Sequence, residues 1–173
     1  PLEMEGTYPL PEAQLDRFLL KILVPYPNRA EMQTIADRTM AAQQPSVRQT
    51  IDQSQVLEIR RQANAVLVAP HVRDFAIDLV MATQPESAQA HEVARKYVRY
   101  GASPRGVQAL LQGGRVRALL RGRLNVSEDD VRSLSGSALR HRIILNFDAH
   151  AEGKTEDDIL QVILASLNSK SRG

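Results

Sequence analysis

An arginine in the first turn of a predicted helix is the residue with the clearest potential for chemistry. Ser103 is a typical helix N-cap, Pro104 suits the first helical position, and Arg105 follows. A cation there faces the positive end of the helix dipole, a conflict of about 0.3 to 1 kcal/mol. A bound anion would resolve it, because backbone N–H groups and a guanidinium would share one oxyanion. Ser103 and Arg105 are therefore candidate phosphate ligands, although the spacing alone favours a solvated arginine on an ordinary helix.

The helix that must position Arg105 is predicted from Pro104 to about Arg121. Its apolar residues recur at helical spacing, at Val107, Leu110, Leu111 and Ala118. The pair Gly113-Gly114 interrupts this pattern, and each glycine weakens a helix by about 1 kcal/mol relative to alanine. We therefore expect a kink or a close helix contact at the two glycines.

A second informative segment lies near the start of the chain, at Glu5–Phe18 (EGTYPLPEAQLDRF). Its second half predicts a short helix over Pro11–Arg17, with proline near the start and an acidic residue in the first turn. The run that follows, Phe18–Val24, is apolar on both faces and typical of a strand buried in a parallel sheet.

The rest of the chain is predicted to be helical. Capping residues or prolines mark helix starts at Asn28, at Asp52 or Ser54, and at Pro70, Ser127 and Thr155. We predict that His91–Tyr100 is a solvated segment. The last helix is expected to bury Ile159, Leu160, Ile163, Leu164 and Leu167.

Composition excludes several classes of protein. The 173 residues are 43% hydrophobic and 24% charged, a balance typical of globular proteins. No apolar run reaches the roughly 18 residues of a membrane span and no signal peptide is visible, so we expect a cytoplasmic protein. The absence of cysteine excludes disulfides and thiolate metal sites, and the four histidines lack metal-ligand spacing.

Taken together, Glu5–Phe18 and Gly101–Gly106 (GASPRG) closely resemble the MoxR family of AAA+ ATPases. The resemblance continues in the family's order through Val126–Val131, Leu139–Arg142 and Ala151–Thr155. It implies that Arg17 is the arginine finger and that Arg105 is the sensor 2 residue that contacts the phosphates.

The fold implied by the resemblance is mainly α. Residues 27–173 would form a helical AAA+ lid domain with sensor 2. Residues 1–26, with the finger helix and the last strand, would be the C-terminal remnant of the α/β ATPase core. We therefore expect the chain to be a C-terminal part of a longer protein.

The function implied by the resemblance is ATP hydrolysis with Mg²⁺ in a ring, expected to be a hexamer, where Arg17 reaches into the next subunit. Family members act as chaperone-like ATPases with von Willebrand factor A-domain proteins. Whether Arg105 serves its own subunit's nucleotide or a neighbour's stays open. The sequence contains neither a GxxxxGK[ST] loop nor an apolar run ending in Asp-Glu. We therefore expect this chain to depend on an upstream ATPase core, to bind no cofactor tightly and to be inactive alone.

Two other classes of function are considered. A nucleic-acid-binding module could use the basic stretch Arg115, Arg117, Arg121 and Arg123, or the basic and aromatic residues of His91–Tyr100. We interpret both as solvated, so nucleic acid is not expected as a partner. A protein-interaction scaffold is the third possibility.

Two further groups could suggest a site. The acidic residues Glu128–Asp130 could suggest a metal, but a helix dipole explains them. His141 is expected to fix a turn or to pack, since no nucleophile lies nearby in the sequence.

Overall fold

The structure, a computed structural model, describes residues 10–41 and 46–170. The described residues group into two compact units, one drawn from Pro1–Lys21 and Gln62–Gly173 and the other formed by Ile22–Arg61. The first part of the segment Glu5–Phe18 lies outside the described residues. The boundary near residue 26 concerns the longer protein and stays a prediction.

The unit Ile22–Arg61 contains helix α2 (Arg29–Met40) and most of helix α3 (Gln53–Ala65). Asn28 caps α2 in a capping box, where its side chain accepts from the Glu31 N–H and the Glu31 carboxylate accepts from the Asn28 N–H. The Asp52 carboxylate accepts from the Gln55 N–H at 2.8 Å at the start of α3. Both predicted helix starts are confirmed.

The other unit contains the remaining elements. Helices are α1 (Glu12–Leu15), α4 (Pro70–Ala82), α5 (Glu92–Tyr97), α6 (Pro104–Leu120), α7 (Glu128–Leu139), α8 (Phe147–Ala151) and α9 (Glu156–Lys170), and strands are β1 (Val98–Tyr100) and β2 (Ile144–Leu145). The two strands pair antiparallel, with Val98 opposite Leu145. The mainly helical fold class and the starts of α4, α6, α7 and α9 are confirmed.

The prediction that His91–Tyr100 is a solvated segment is wrong. These residues form α5 and β1, in which Ala94, Tyr97 and Val98 are buried. His91 caps α5 through its ring nitrogen, which accepts from the Val93 N–H. Helix α5 is too short for its apolar spacing to be read from the sequence.

The core lies where α6 packs on α4 and α7, with α9 completing it. Its largest fully buried side chains include Leu79, Leu110, Leu139, Ile159, Leu160 and Ile163. The close helix contact predicted at Gly113-Gly114 is confirmed. A Cβ at Gly113 would lie 2.9 Å from Leu134 Cδ1 on α7, and a Cβ at Gly114 would lie 2.8 Å from Val126 Cγ1 in the loop before α7, so glycine at these positions allows α6 to approach both.

The strand predicted over Phe18–Val24 does not form; the described backbone there is neither helix nor strand. A buried parallel strand needs neighbouring strands, and within the described residues β1 and β2 pair only with each other. The backbone finds other partners: the Lys21 N–H donates to the Ser137 carbonyl at 2.8 Å. Side chains that follow α7 bind the carbonyls of this segment.

Candidate phosphate-binding site

The loop before α6 is fixed by the end of α4. The Ala102 N–H donates to Thr83 Oγ1 at 3.0 Å, and Gln84 Nε2 donates to the Ala102 carbonyl at 2.8 Å. A Cβ at Gly101 would lie 2.5 Å from the Thr83 carbonyl oxygen, which explains why glycine occupies that position. These contacts set the direction in which Ser103 enters the helix.

Ser103 and Arg105 converge on the carboxylate of Asp16, which follows α1. Ser103 Oγ donates to Asp16 Oδ1 at 2.7 Å, and Arg105 Nη1 donates to Asp16 Oδ2 at 2.7 Å. Ser103 also caps α6, since its Oγ accepts from the Arg105 N–H at 3.2 Å. The anion that the helix start was predicted to attract is, in this structure, an aspartate of the same chain.

Arg142 is a second arginine that faces the carboxylate of Asp16. Its Nε lies 3.2 Å from Asp16 Oδ1, as an ion pair without hydrogen-bond geometry. Burial by itself raises the pKa of Asp16, but the hydrogen bonds from Ser103 and Arg105 and the charges of Arg142 and Arg105 outweigh it and leave the pKa below its ordinary value. Asp16 is therefore ionised at neutral pH.

Arg17 and Arg105 line one cavity of about 460 Å³, whose other polar residues are Gln108, Gln112 and Arg142. Arg17 is exposed, and its side chain has no hydrogen bond or ion pair within the described residues. Arg105 remains 54% exposed despite its bond to Asp16. The structure thus brings the two arginines predicted from the sequence to the same place.

The donors around this cavity suit phosphate better than a metal ion. Guanidinium and amide N–H groups match phosphate oxygens, whereas Mg²⁺ requires oxygen ligands. The one carboxylate at the site, Asp16, is occupied by arginines and a hydroxyl. Across the part of the chain that the structure describes, no three His, Asp or Glu side chains group as a metal site.

Most of the basic stretch on and after α6 is engaged in ion pairs. Arg123 binds both oxygens of the fully buried Asp130 at 2.7 and 2.8 Å, and Arg117 lies 3.4 Å from the same carboxylate. Arg121 pairs with Asp129 at 3.2 Å. Although burial raises the pKa of Asp130, hydrogen bonds from Arg123 and Ser127 lower it to about 2. The acidic residues at the start of α7 thus form ion pairs with arginines and also interact favourably with the helix dipole. The basic stretch is therefore less solvated than the sequence predicted.

Among the basic and aromatic residues of His91–Tyr100, Lys96 and Tyr97 are engaged, whereas Tyr100 remains 55% exposed. The buried Tyr97 donates its hydroxyl to Glu152 Oε2 at 2.7 Å, and Lys96 pairs with Glu152 Oε1 at 3.2 Å. A buried ring with a bonded hydroxyl offers no face on which a base could stack.

Asp16 and Arg142 are central to the site, but sequence reasoning assigned neither of them a role. Both belong to motifs that carry the resemblance, LDRF and LRHR, and that is the one signal that could have drawn attention to them. Their partners lie far away in the sequence: Ser103 is 87 residues from Asp16, and the Asp16 carbonyl is 126 residues from Arg142. His141 was predicted to fix a turn or to pack; it lies in the turn after α7, with Nε2 at 3.0 Å from the Phe18 carbonyl oxygen.

Comparisons with known proteins agree with this architecture. An AAA lid domain family matches residues 90–163. Chaperone MoxR1 of Mycobacterium tuberculosis is 36% identical over 168 residues, covering 96% of this chain and 44% of the relative. Protein MoxR of Paracoccus denitrificans is 32% identical, covering 84% of this chain and 46% of the relative. The chain thus spans about half the length of these relatives.

A solved structure shares the fold of this chain. A protein assigned as an ATPase from Cytophaga hutchinsonii superposes with a TM-score of 0.86 at 35% identity, covering 95% of this chain and 50% of that protein. Within the described ranges, no helix combines the length and apolar character needed to cross a bilayer. The sequence and fold relationships together place the chain among the MoxR-like AAA+ ATPases, as a C-terminal part that contains the lid domain.

Proposed function

We propose that this chain supplies two arginines, Arg17 and Arg105, to the phosphates of one ATP in a ring of AAA+ subunits. The observation that carries the proposal is their position on one cavity, with Asp16 immediately before Arg17 and bonded to Arg105. A polyanion within reach of one arginine would be within reach of the other.

Arg17 would act as the finger. Its side chain is exposed and unpaired within the described residues, so it would lose no internal ion pair on reaching a neighbour's nucleotide. An arginine that neutralises charge on the transferred phosphoryl group is worth about 10³ to 10⁵ in rate.

Arg105 would act as the sensor, supported by Ser103. Both donate to Asp16, and both could exchange that carboxylate for phosphate oxygens. Since half of the Arg105 side chain is in solvent, its pair with Asp16 is of the weakly stabilising kind, about 0 to 1 kcal/mol, and the exchange costs little. If Arg17 reaches into the next subunit, the shared cavity implies that Arg105 acts there too.

The rest of the ATP site would come from elsewhere. Mg²⁺ would neutralise charge on the β- and γ-phosphates, and the phosphate loop and metal ligands would belong to the ATPase core of the longer protein. This chain would orient phosphates and stabilise charge.

The longer protein would couple ATP hydrolysis to chaperone-like remodelling or maturation of protein complexes. One relative is named a chaperone, and two are MoxR proteins. We expect a cytoplasmic, hexameric ring and a von Willebrand factor A-domain partner.

Subunit mixing with the full-length protein tests the proposal. Arg17→Ala and Arg105→Ala subunits should each hydrolyse ATP poorly. Each should regain activity when mixed with a subunit that lacks its phosphate-loop lysine, because the intact arginines of one subunit then face the intact loop of the other. Rescue of Arg17→Ala without rescue of Arg105→Ala would contradict a shared nucleotide.

A further inference from the structure

We propose that Arg142 is a positioning residue: it binds the backbone on both sides of Arg17 and thereby holds Arg17 at the cavity that Arg105 lines. The inference deepens the proposed function and, for its consequence in catalysis, rests on it. The placement of the backbone can be tested separately from any activity.

One guanidinium brackets Arg17. Arg142 Nη2 donates to the carbonyl oxygens of Asp16 at 3.1 Å and Phe18 at 2.6 Å, the residues immediately before and after Arg17. Arg142 Nη1 donates to the Leu19 carbonyl at 3.3 Å and to the Ala138 carbonyl near the end of α7. These carbonyls and the Asp16 carboxylate surround the side chain of Arg142, which is only 2% exposed.

Only arginine suits this position. Its planar group presents five donors in fixed directions, whereas lysine presents a single ammonium. The carbonyls near Arg17 are not engaged in a strand or long helix, so the buried guanidinium of Arg142 supplies hydrogen bonds that regular secondary structure does not provide there.

The residues before Arg142 extend the attachment. His141 Nε2 lies 3.0 Å from the Phe18 carbonyl oxygen, and Arg140 Nη1 donates to the Lys21 carbonyl at 3.1 Å. Three consecutive side chains after α7 thus bind the segment that carries Arg17. That segment is grouped with the lid helices in one compact unit, so Arg17 and Arg105 belong to the same unit.

A purely local role for Arg142 would be to cap α7 through the Ala138 carbonyl. The two roles predict different changes. Loss of a cap would loosen the end of α7, whereas loss of positioning would free the segment around Arg17.

Hydrogen exchange on the 173-residue chain measures the placement. The amides of Phe18 and Lys21 donate to the carbonyls of Leu15 and Ser137 and should be protected in the unaltered chain. In Arg142→Lys, which keeps the charge, they should exchange at least about tenfold faster, the equivalent of one lost charge-assisted hydrogen bond. Amides of α4 and α9 should not change.

Arg132→Lys is the matched control. The Arg132 side chain, 21% exposed, likewise donates to a backbone carbonyl, that of Leu164 at 3.2 Å, and pairs with Glu128. It should leave the amides of Phe18 and Lys21 unchanged. Unchanged exchange at these amides in Arg142→Lys, or unprotected amides in the unaltered chain, would overturn the proposal.

Kinetics of the full-length protein test the consequence. Arg142→Lys should lower kcat by about ten- to a hundredfold, as expected for a misplaced group, with KM nearly unchanged. A normal kcat in Arg142→Lys together with an impaired Arg17→Ala would overturn the positioning role. A normal Arg17→Ala would instead refute the proposed finger, and the exchange result would still decide whether Arg142 places the segment.

Discussion

Asp16 and Arg105 lie 89 residues apart in the sequence, yet Asp16 Oδ2 accepts a hydrogen bond from Arg105 Nη1 at 2.7 Å. The carboxylate also binds Ser103 and faces the buried Arg142. It thus links the segment that carries Arg17 to the start of α6. In the absence of phosphate, it neutralises the cation that the helix dipole disfavours.

Removing the charge of Asp16 should destabilise the chain more than removing the side chain of Arg105. Asp16→Asn leaves Arg142 buried without its anionic partner, which should cost about 2 to 4 kcal/mol of unfolding free energy. Arg105 is half exposed, so Arg105→Ala should cost less than about 1 kcal/mol. Urea unfolding of both variants measures the difference, and equal losses would contradict this account of the site.

The stability of the chain should fall in acid. The unfolded chain takes up a proton on Asp130 near its ordinary pKa of 3.8, whereas the folded chain does so only near a pKa of about 2. Protonation between these values therefore favours unfolding, and Asp130 alone should contribute about 2 kcal/mol that is present above pH 4 and lost toward pH 2. The lowered pKa of Asp16 acts in the same direction.

Urea unfolding at several pH values between 6 and 2.5 tests this linkage. Asp130→Asn should be less stable at pH 6 and show a flatter dependence on pH. Asp158→Asn, at an exposed helix start, is the control and should keep most of the slope. An unaltered slope in Asp130→Asn would mean that its pKa is not lowered by folding.

The 173-residue chain by itself should not hydrolyse ATP. Its sequence has no phosphate loop to hold the β- and γ-phosphates, and its arginines would act on charge that other residues must first bind. Phosphate release from highly purified chain, with Arg105→Ala in parallel, is the measurement. Turnover that disappears in Arg105→Ala would contradict the prediction, whereas turnover common to both samples would come from a contaminant.

Local signals in the sequence were sufficient for most of the fold. Asn28, Ser127 and Thr155 cap the helices they predict, because a cap and its partners lie within four residues of one another. Pro70 begins α4 because its fixed φ suits the first helical position. Helix α8 was missed because five residues are too few to show a period. The strand predicted over Phe18–Val24 was wrong because an apolar run does not show which groups bind its backbone. In this chain, Arg140, His141 and Arg142 bind it.

The candidate site was less accessible from the sequence. Family resemblance pointed to Arg17 and Arg105, and the helix dipole pointed to an anion beside Arg105. The anion could not be identified, because Asp16 meets its partners only in the folded chain. Pairwise contacts across 80 or more residues leave no periodicity or spacing in a single sequence.

Neutralising the arginines near the end of α6 should affect folding more than nucleic-acid binding. Arg123→Gln removes two hydrogen bonds to the buried Asp130 and should lower the thermal midpoint clearly. Arg115→Gln, which removes no ion pair within the described residues, should be nearly neutral. Binding to duplex DNA should be weak at physiological salt in all samples. Sub-micromolar binding that is lost in these variants would favour a nucleic-acid module. The affinity of such a module should fall by about 0.9 log units per phosphate contact for each log unit of salt.

The two adjacent glycines of α6 make close contacts of different kinds, Gly114 with the loop before α7 and Gly113 with α7 itself. A Cβ at Gly114 would lie 2.8 Å from Val126 Cγ1. The β-branched side chain of Val126 is stiff, and the Val126 backbone is held by a hydrogen bond from its N–H to the Leu67 carbonyl at 2.9 Å. A Cβ at Gly113 would meet only the flexible end of Leu134, at 2.9 Å. Gly114→Ala should therefore cost about 1 to 3 kcal/mol despite the better helix propensity of alanine, whereas Gly113→Ala should be within about 1 kcal/mol of the unaltered chain. Chemical unfolding of the two variants measures this contrast, and an equally stable Gly114→Ala would show that Val126 can move away from α6 at little cost.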